Sequence, residues 1–312
     1  MFSPIGVGKT SEMLHAESLL RADGGPSLVV YDDPAEIPGV MADRGEAWLL
    51  RRSAVVLSTA ARERGLLRST RARQAAERLC LPPSTSPIPD EVEASDLLSI
   101  VLAELPGAGA VVLLDSLDRE PVGDFEAKVL GGLRALRALN VGLVLTTPFA
   151  ALYAPWRERL DGFVLHGLHP APLDDAAELE WLRAVLDRRD PDGVITASAR
   201  ERLVCASGGI ARHLIECARG AVTNAYQAGH ASVDVTHVDA ACEVFTDNHL
   251  LRGLTPDDRA VLEAVAAGAR PSNANQRWIG LVASGCVLEH PSRPGRPRVH
   301  PLLAPFFVSR AA

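Results

Sequence analysis

The chain has 312 residues, 47% of them hydrophobic, and carries a formal net charge of -7 with a pI near 5.7. That length suffices for two or three domains with buried cores, and the acidic balance argues against a generic nucleic-acid coat while leaving room for a local basic patch. Five scattered cysteines (Cys80, Cys205, Cys217, Cys242, Cys286) lack zinc spacing and read as core hydrophobes of a reducing compartment; with no signal peptide and no apolar run near the ~20 residues of a bilayer span, a cytoplasmic soluble protein is expected.

The first stretch in chain order, Ser3-Pro4-Ile5-Gly6-Val7-Gly8-Lys9-Thr10, carries the clearest chemistry. A glycine loop can turn its backbone N–H groups around phosphates, a lysine can set its ammonium against the β- and γ-phosphates, and a threonine hydroxyl can ligate Mg²⁺. Pro4, Ile5, Gly6, Val7, Gly8, Lys9, Thr10 and Ser11 are therefore the expected nucleotide contacts, with the helix from Thr10 to Arg21 adding the positive end of its dipole. Only two of the 32 lysine and arginine residues are lysines, Lys9 and Lys128, and one falls where the loop needs it. The motif departs from G-x-x-x-x-G-K-[ST] at Ser3, and only Met1 and Phe2 stand where a buried strand should precede the loop. A start codon assigned too far downstream is the favoured account, over a shortened chain or a strand supplied by another segment or chain.

Ser27 to Tyr31 reads as a short buried strand closed by Asp32-Asp33-Pro34, and Ala47 to Arg64 as a helix. Its continuation is basic through Arg51, Arg52, Arg62, Arg64, Arg68, Arg71 and Arg73, and reads as a solvated face. A proline-rich loop, residues 81–89, precedes a helix from Asp90 to Leu105. Gly109 to Asp115 is then an apolar run ending in a carboxylate, as a buried parallel strand delivers one at its C-terminal edge. Asp115 would hold Mg²⁺ through its water shell, with Asp118 or Glu120 orienting the attacking water. After a helix from Phe125 to Leu139, Val141 to Pro148 is a strand ending in Thr146 and Thr147, either of which could reach the γ-phosphate or cap the turn. A last strand, Gly162 to His166, closes an α/β part whose short connections imply a parallel sheet with helices on both faces.

Beyond Pro170 the pattern turns helical: Leu173 to Arg188, Thr196 to Ala206 and Ile210 to Gln227. Gly208 and Gly209 separate the last two and put Arg212 in the first turn of the third, where the helix dipole disfavours a cation and a bound phosphate would compensate. Thr236 and Asp239 read as a helix start, and Thr255-Pro256-Asp257-Asp258 as a clearer one. A helix over Gln276 to Ser284, a strand from Cys286 to Glu289, a basic tip at Arg293, Arg296 and Arg298, and a second strand describe a winged helix. Trp278, Ile279 and Leu281 read as core, which favours a wing that faces protein over one that reads DNA through those three arginines.

These pieces in this order resemble the STAND and origin-initiator branch of AAA+ P-loop ATPases. Pro4 to Thr10 looks like Walker A, Leu113 to Arg119 like Walker B, Ser207 to Ile215 like the lid motif with its sensor 2 arginine at Arg212, and Arg298 to Leu303 like the end of the following winged helix. The resemblance implies a P-loop α/β core over residues 1–170 with its first strand missing, a helical lid over 171–252 and a winged-helix domain over 253–312. It implies an ATP-binding switch using Mg²⁺, with Lys9, Asp115, Asp118, Thr147 and Arg212 at the reaction centre and nucleotide state coupled to a protein partner or to self-assembly. Ser116 stands where many AAA+ enzymes carry the catalytic glutamate, so slow hydrolysis with Asp118 as base is expected. The competing expectations are a non-hydrolysing scaffold and a DNA-binding protein acting through the wing.

Overall fold

The structure is a computed structural model that describes residues 1, 7–22, 25–36, 47–81, 87–107, 109–119, 122–149, 163–164, 166–272, 276–289 and 296–307. Its contacts divide it into two compact units, Met1–Phe2 with Lys9–His166, and Ser3–Gly8 with Gly167–Ala312.

In the first unit, helix α1 (Lys9–Leu20) leads to strand β1 (Leu28–Asp32), and helices α2 (Trp48–Glu63), α3 (Thr70–Cys80) and α4 (Glu91–Leu102) follow. Strand β2 (Ala110–Leu114), helix α5 (Val122–Ala138) and strand β3 (Gly142–Leu145) complete it. The three strands pair in parallel in the order β1-β2-β3, with Leu28 opposite Ala110 and Val111 opposite Gly142. Successive side chains alternate between faces. Leu28, Val30, Ala110, Val112, Leu114, Leu143 and Leu145 join the core built with α2 to α5. Val29, Tyr31, Val111, Leu113 and Val144 join Met13 of α1 on the other face. Both faces are covered, which is why the strands read as continuous apolar runs instead of alternating ones.

Among the described residues no strand precedes α1, but Met1 lies beside the end of β3. The Met1 nitrogen donates to Leu145 O, and Thr147 N–H donates to Met1 O at 2.8 Å. That alternation is the signature of a parallel pair, so Met1 stands opposite Thr146 at the outer edge of β3. The expected last strand, residues 162–166, falls partly outside the described residues; Phe163, Val164 and His166 take no strand conformation, and Val164 is 92% exposed.

The basic run after Ala47 is not uniformly solvated. Arg52 grips Asp32 with two hydrogen bonds, one of them from Nε at 2.7 Å, and Arg64 donates to Val29 O at 3.2 Å. Both arginines bind β1 to the helices after it. The sequence pattern missed this because their partners are a strand-end carboxylate and a backbone carbonyl more than 19 residues away.

In the second unit, helices α6 (Ala176–Asp187), α7 (Ala197–Ala206), α8 (Ala211–Gln227) and α9 (Val235–Phe245) precede α10 (Pro256–Ala266) and α11 (Gln276–Ala283). Strands β4 (Val287–Leu288) and β5 (Arg298–Val299) then form an antiparallel pair, followed by the short helix α12 (Ala304–Phe307). Thr196 and Thr255 cap α7 and α10 as their positions predict. Helix α9 starts earlier than expected, because Asp234 and not Thr236 is its cap: the Asp234 carboxylate accepts from the backbone of Thr236 and His237 while His237 reaches back to Asp234 N–H. Trp278, Ile279 and Leu281 are core, as expected. Among the described residues no helix is long and apolar enough to cross a membrane.

A buried histidine pair ties the start of α8 to the end of β5. Leu302 N–H donates to His300 Nδ1 at 3.3 Å, which places the His300 proton on Nε2, from where it faces Ser207 O at 3.1 Å and His213 Nδ1 at 3.2 Å. Burial lowers His213 to about 3 and His300 to about 4, so both rings are neutral at neutral pH.

Candidate functional site

The C-terminal edge of a parallel sheet is where α/β folds collect ligands, because helix amino termini and strand-end loops converge there. Gly8 has φ of +109°, a conformation that favours glycine, and nothing lies within 4 Å of where a Cβ would be; the backbone and not crowding requires it. Lys9 opens α1 directly after it. Pro4, Ile5 and Gly6 lie outside the described residues; Thr10 and Ser11 are exposed in the first turn of α1.

The Lys9 ammonium lies 3.1 Å from Asp118 Oδ2, with the two side chains 7% and 15% exposed. Asp118 sits on the single 3₁₀ turn Leu117–Arg119 that follows Asp115 and Ser116. Lys9 and the turn that follows the strand-end acid are thus brought to one place. Asp115 is buried at the tip of β2 and both its oxygens are occupied: Oδ1 accepts Ser116 N–H at 2.7 Å and Oδ2 accepts the Tyr31 hydroxyl at 3.1 Å. Ser116 has φ of 59°, rare for a residue with a side chain, and its hydroxyl donates to Asp33 Oδ2 at 3.0 Å.

The two threonines at the tip of β3 separate in role. Thr146 is fully buried and its Oγ1 accepts Leu117 N–H at 3.0 Å, pinning the loop that carries Asp118. Thr147 is buried beside Met1, whose carbonyl accepts its N–H at 2.8 Å and its hydroxyl at 3.4 Å. Burial and the Lys9 ammonium lower the Met1 amine to about 6 against the opposing pull of Asp118, which puts Met1, Lys9 and Asp118 within one electrostatic neighbourhood. Arg212 is exposed in the first turn of α8, in the second unit. Glu120 and Arg293 lie outside the described residues.

Tyr31, Asp32 and Asp33 escaped the motif reading. The available signal was an aromatic hydroxyl followed by two acids at the end of a strand beside the Asp115 strand. Asp115 and Thr10, the residues expected to hold Mg²⁺, each offer hard oxygen donors, which suit Mg²⁺ and not a soft metal. Among the described residues no group of three or more His, Cys, Asp or Glu side chains could hold a metal. A cation here would need phosphate oxygens and water to complete its shell.

Among solved structures, the chain is similar to the ORC2 protein of Aeropyrum pernix in its ADPNP-ADP complexes, with a TM-score of 0.51 and 16% identity over 98% of this chain and 84% of that one. The ADP form of the same protein gives a TM-score of 0.50 at 14% identity, over 98% and 83% of the two chains. At these identities the likeness is one of fold, and the chain shares the overall fold of that ORC2 protein. A looser likeness, with a TM-score of 0.47 and 14% identity over 96% of this chain and 83% of the other, links it to the Thermotoga maritima RuvB K64R mutant. No family model matches the sequence, and no curated protein matches it.

Proposed function

We propose that the chain is an ATP-binding and slowly ATP-hydrolysing switch of the AAA+/STAND type. The observation that carries this reading is the Lys9–Asp118 ion pair beside buried Asp115 at the strand ends of a parallel sheet. When bound, Mg-ATP supplies the phosphoryl group and the metal charge. Lys9 leaves Asp118 to meet the β- and γ-phosphates; Thr10 and Asp115 hold the metal and its water; Asp118, freed from Lys9, accepts a proton from the attacking water; and Thr147 senses the γ-phosphate. Ser116 is no base in this scheme, since its hydroxyl is spent on Asp33, and that accounts for slow turnover.

The remaining assignments rest on the resemblance: residues 1–170 as nucleotide core, 171–252 as lid with Arg212 as its phosphate sensor, and 253–312 as a winged helix whose position follows the nucleotide. The antiparallel β4-β5 pair after α10 and α11 supports the last of these. Protein, and not DNA, is the proposed partner of the wing, through self-assembly or a second chain. Arg296 and Arg298 share a cavity of about 110 Å³ with Asp174 and Glu289; Arg298 lies 3.7 Å from Asp174, so part of the positive charge is matched locally, while Glu289 pairs with Arg270 at 2.7 Å. The proposed location is the cytoplasm.

Thermal unfolding of the intact chain with and without Mg-ATP tests the reading. A ligand at 100 times its dissociation constant adds about 2.7 kcal/mol, which for domains of this size raises the midpoint by about 5–10 °C. No shift at millimolar Mg-ATP would favour the non-hydrolysing scaffold.

A further inference from the structure

We propose that Tyr31 is a positioning residue for Asp115, fixing the carboxylate so that it presents one set of lone pairs to a hydrated metal ion. This rests on the nucleotide reading above and adds to it a residue that no motif contains. The register places Tyr31 opposite Leu113 and Asp32 opposite Leu114, so Asp115 emerges from the sheet just beyond the end of β1. Tyr31 shares the α1-facing side of the sheet with Val29 and Leu113. From there its hydroxyl donates to Asp115 Oδ2 at 3.1 Å, while Ser116 N–H donates to Oδ1 at 2.7 Å. One donor on each oxygen stops the carboxylate from rotating about its last bond.

The donors are themselves held. Ser116 is fixed in its left-handed conformation by the bond from its hydroxyl to Asp33 Oδ2, and Asp33 Oδ1 accepts Ala35 N–H at 3.0 Å. On the other side Thr146 takes Leu117 N–H. The carboxylate is therefore clamped between the tips of β1 and β3, and the lone pairs left over suit water of a metal shell better than two direct bonds to the ion.

The alternative role for Tyr31 is to fill space on the α1 face, which phenylalanine would do equally. The test is therefore Tyr31→Phe in the full chain, with ATP binding followed by calorimetry across a Mg²⁺ series and in EDTA. The expected result is that Tyr31→Phe needs roughly tenfold more Mg²⁺ to reach wild-type ATP affinity, the scale on which outer-shell partners of metal ligands act, while binding in EDTA is unchanged. Asp115→Asn should remove the Mg²⁺ response, and Tyr31→Phe added to Asp115→Asn should change nothing further. A Mg²⁺ dependence equal to wild type, or an undiminished Tyr31→Phe effect on the Asp115→Asn background, overturns the assignment alone. A wild-type chain that binds no ATP, or binds it without regard to Mg²⁺, overturns the nucleotide reading and this inference together.

Discussion

Lys9→Ala should abolish ATP binding by the intact chain, with calorimetry showing an affinity at least ~100-fold weaker than wild type. The expectation follows from charge. Hydrogen bonds to ionised groups each contribute about 1.5–3 kcal/mol, a tenfold change in affinity is 1.4 kcal/mol, and an ammonium placed between two phosphates loses more than one such bond when removed. The structure adds a second cost. With Lys9 gone, Asp118 keeps its charge at a position only 15% exposed, and that charge faces the incoming phosphates without its partner. Asp118→Asn is the contrasting variant, because it removes the competitor for Lys9. It should bind ATP at least as tightly as wild type and lose turnover. Normal ATP binding by Lys9→Ala would remove the phosphate role from the loop.

Gly209→Ala should destabilise the second unit by about 3 kcal/mol in thermal or urea unfolding. Gly209 has φ of +81°, and a Cβ there would lie 1.9 Å from Ala171 O and 2.8 Å from Ala171 N. The left-handed conformation costs a residue with a side chain about 1–2 kcal/mol, and forcing an atom into filled space adds about 1–3 kcal/mol. The neighbour cannot give way cheaply, because Ala171 N–H donates to Gly209 O at 2.9 Å and Gly209 N–H donates to Ser207 Oγ at 3.1 Å. The consequence for function is direct, since Gly209 stands two residues ahead of α8 and any shift displaces Arg212. Destabilisation under about 0.5 kcal/mol, the ordinary range for surface changes, would show that this junction relaxes and does not fix the helix.

Local chemistry made much of this legible in advance. Apolar runs ending in acids or hydroxyls gave β1, β2 and β3 and put Asp115 at the tip of the middle strand. The Thr255 cap gave the start of α10, and the Gly208-Gly209 pair gave the break before α8. What stayed hidden was long-range. Arg52 looked like one more surface cation, and only the fold brings it to Asp32, 20 residues back along the chain. Tyr31 looked like ordinary strand filling until the parallel register placed it beside Asp115, 84 residues on. The Asp118 pairing with Lys9 was equally out of reach, because the sequence offered Asp118 only as a base and gave no sign of what it touches without a ligand. The start of α9 was misplaced for a local reason, since histidine is not the usual residue to complete a capping box.

The most direct test of the central claim uses a reactive acyl-phosphate derivative of ATP, which acylates whichever lysine lies against its phosphates. The chain has two lysines, and Lys128, 1% exposed beneath the Trp48 ring, serves as the internal control. Fragment-level mass spectrometry after labelling, which separates Lys9 from the neighbouring Met1 amine, should find the acyl group on Lys9, with that labelling suppressed by excess Mg-ATP. A Lys9 that stays unmodified, or that is modified equally with and without competing ATP, would contradict the placement of the triphosphate on this loop.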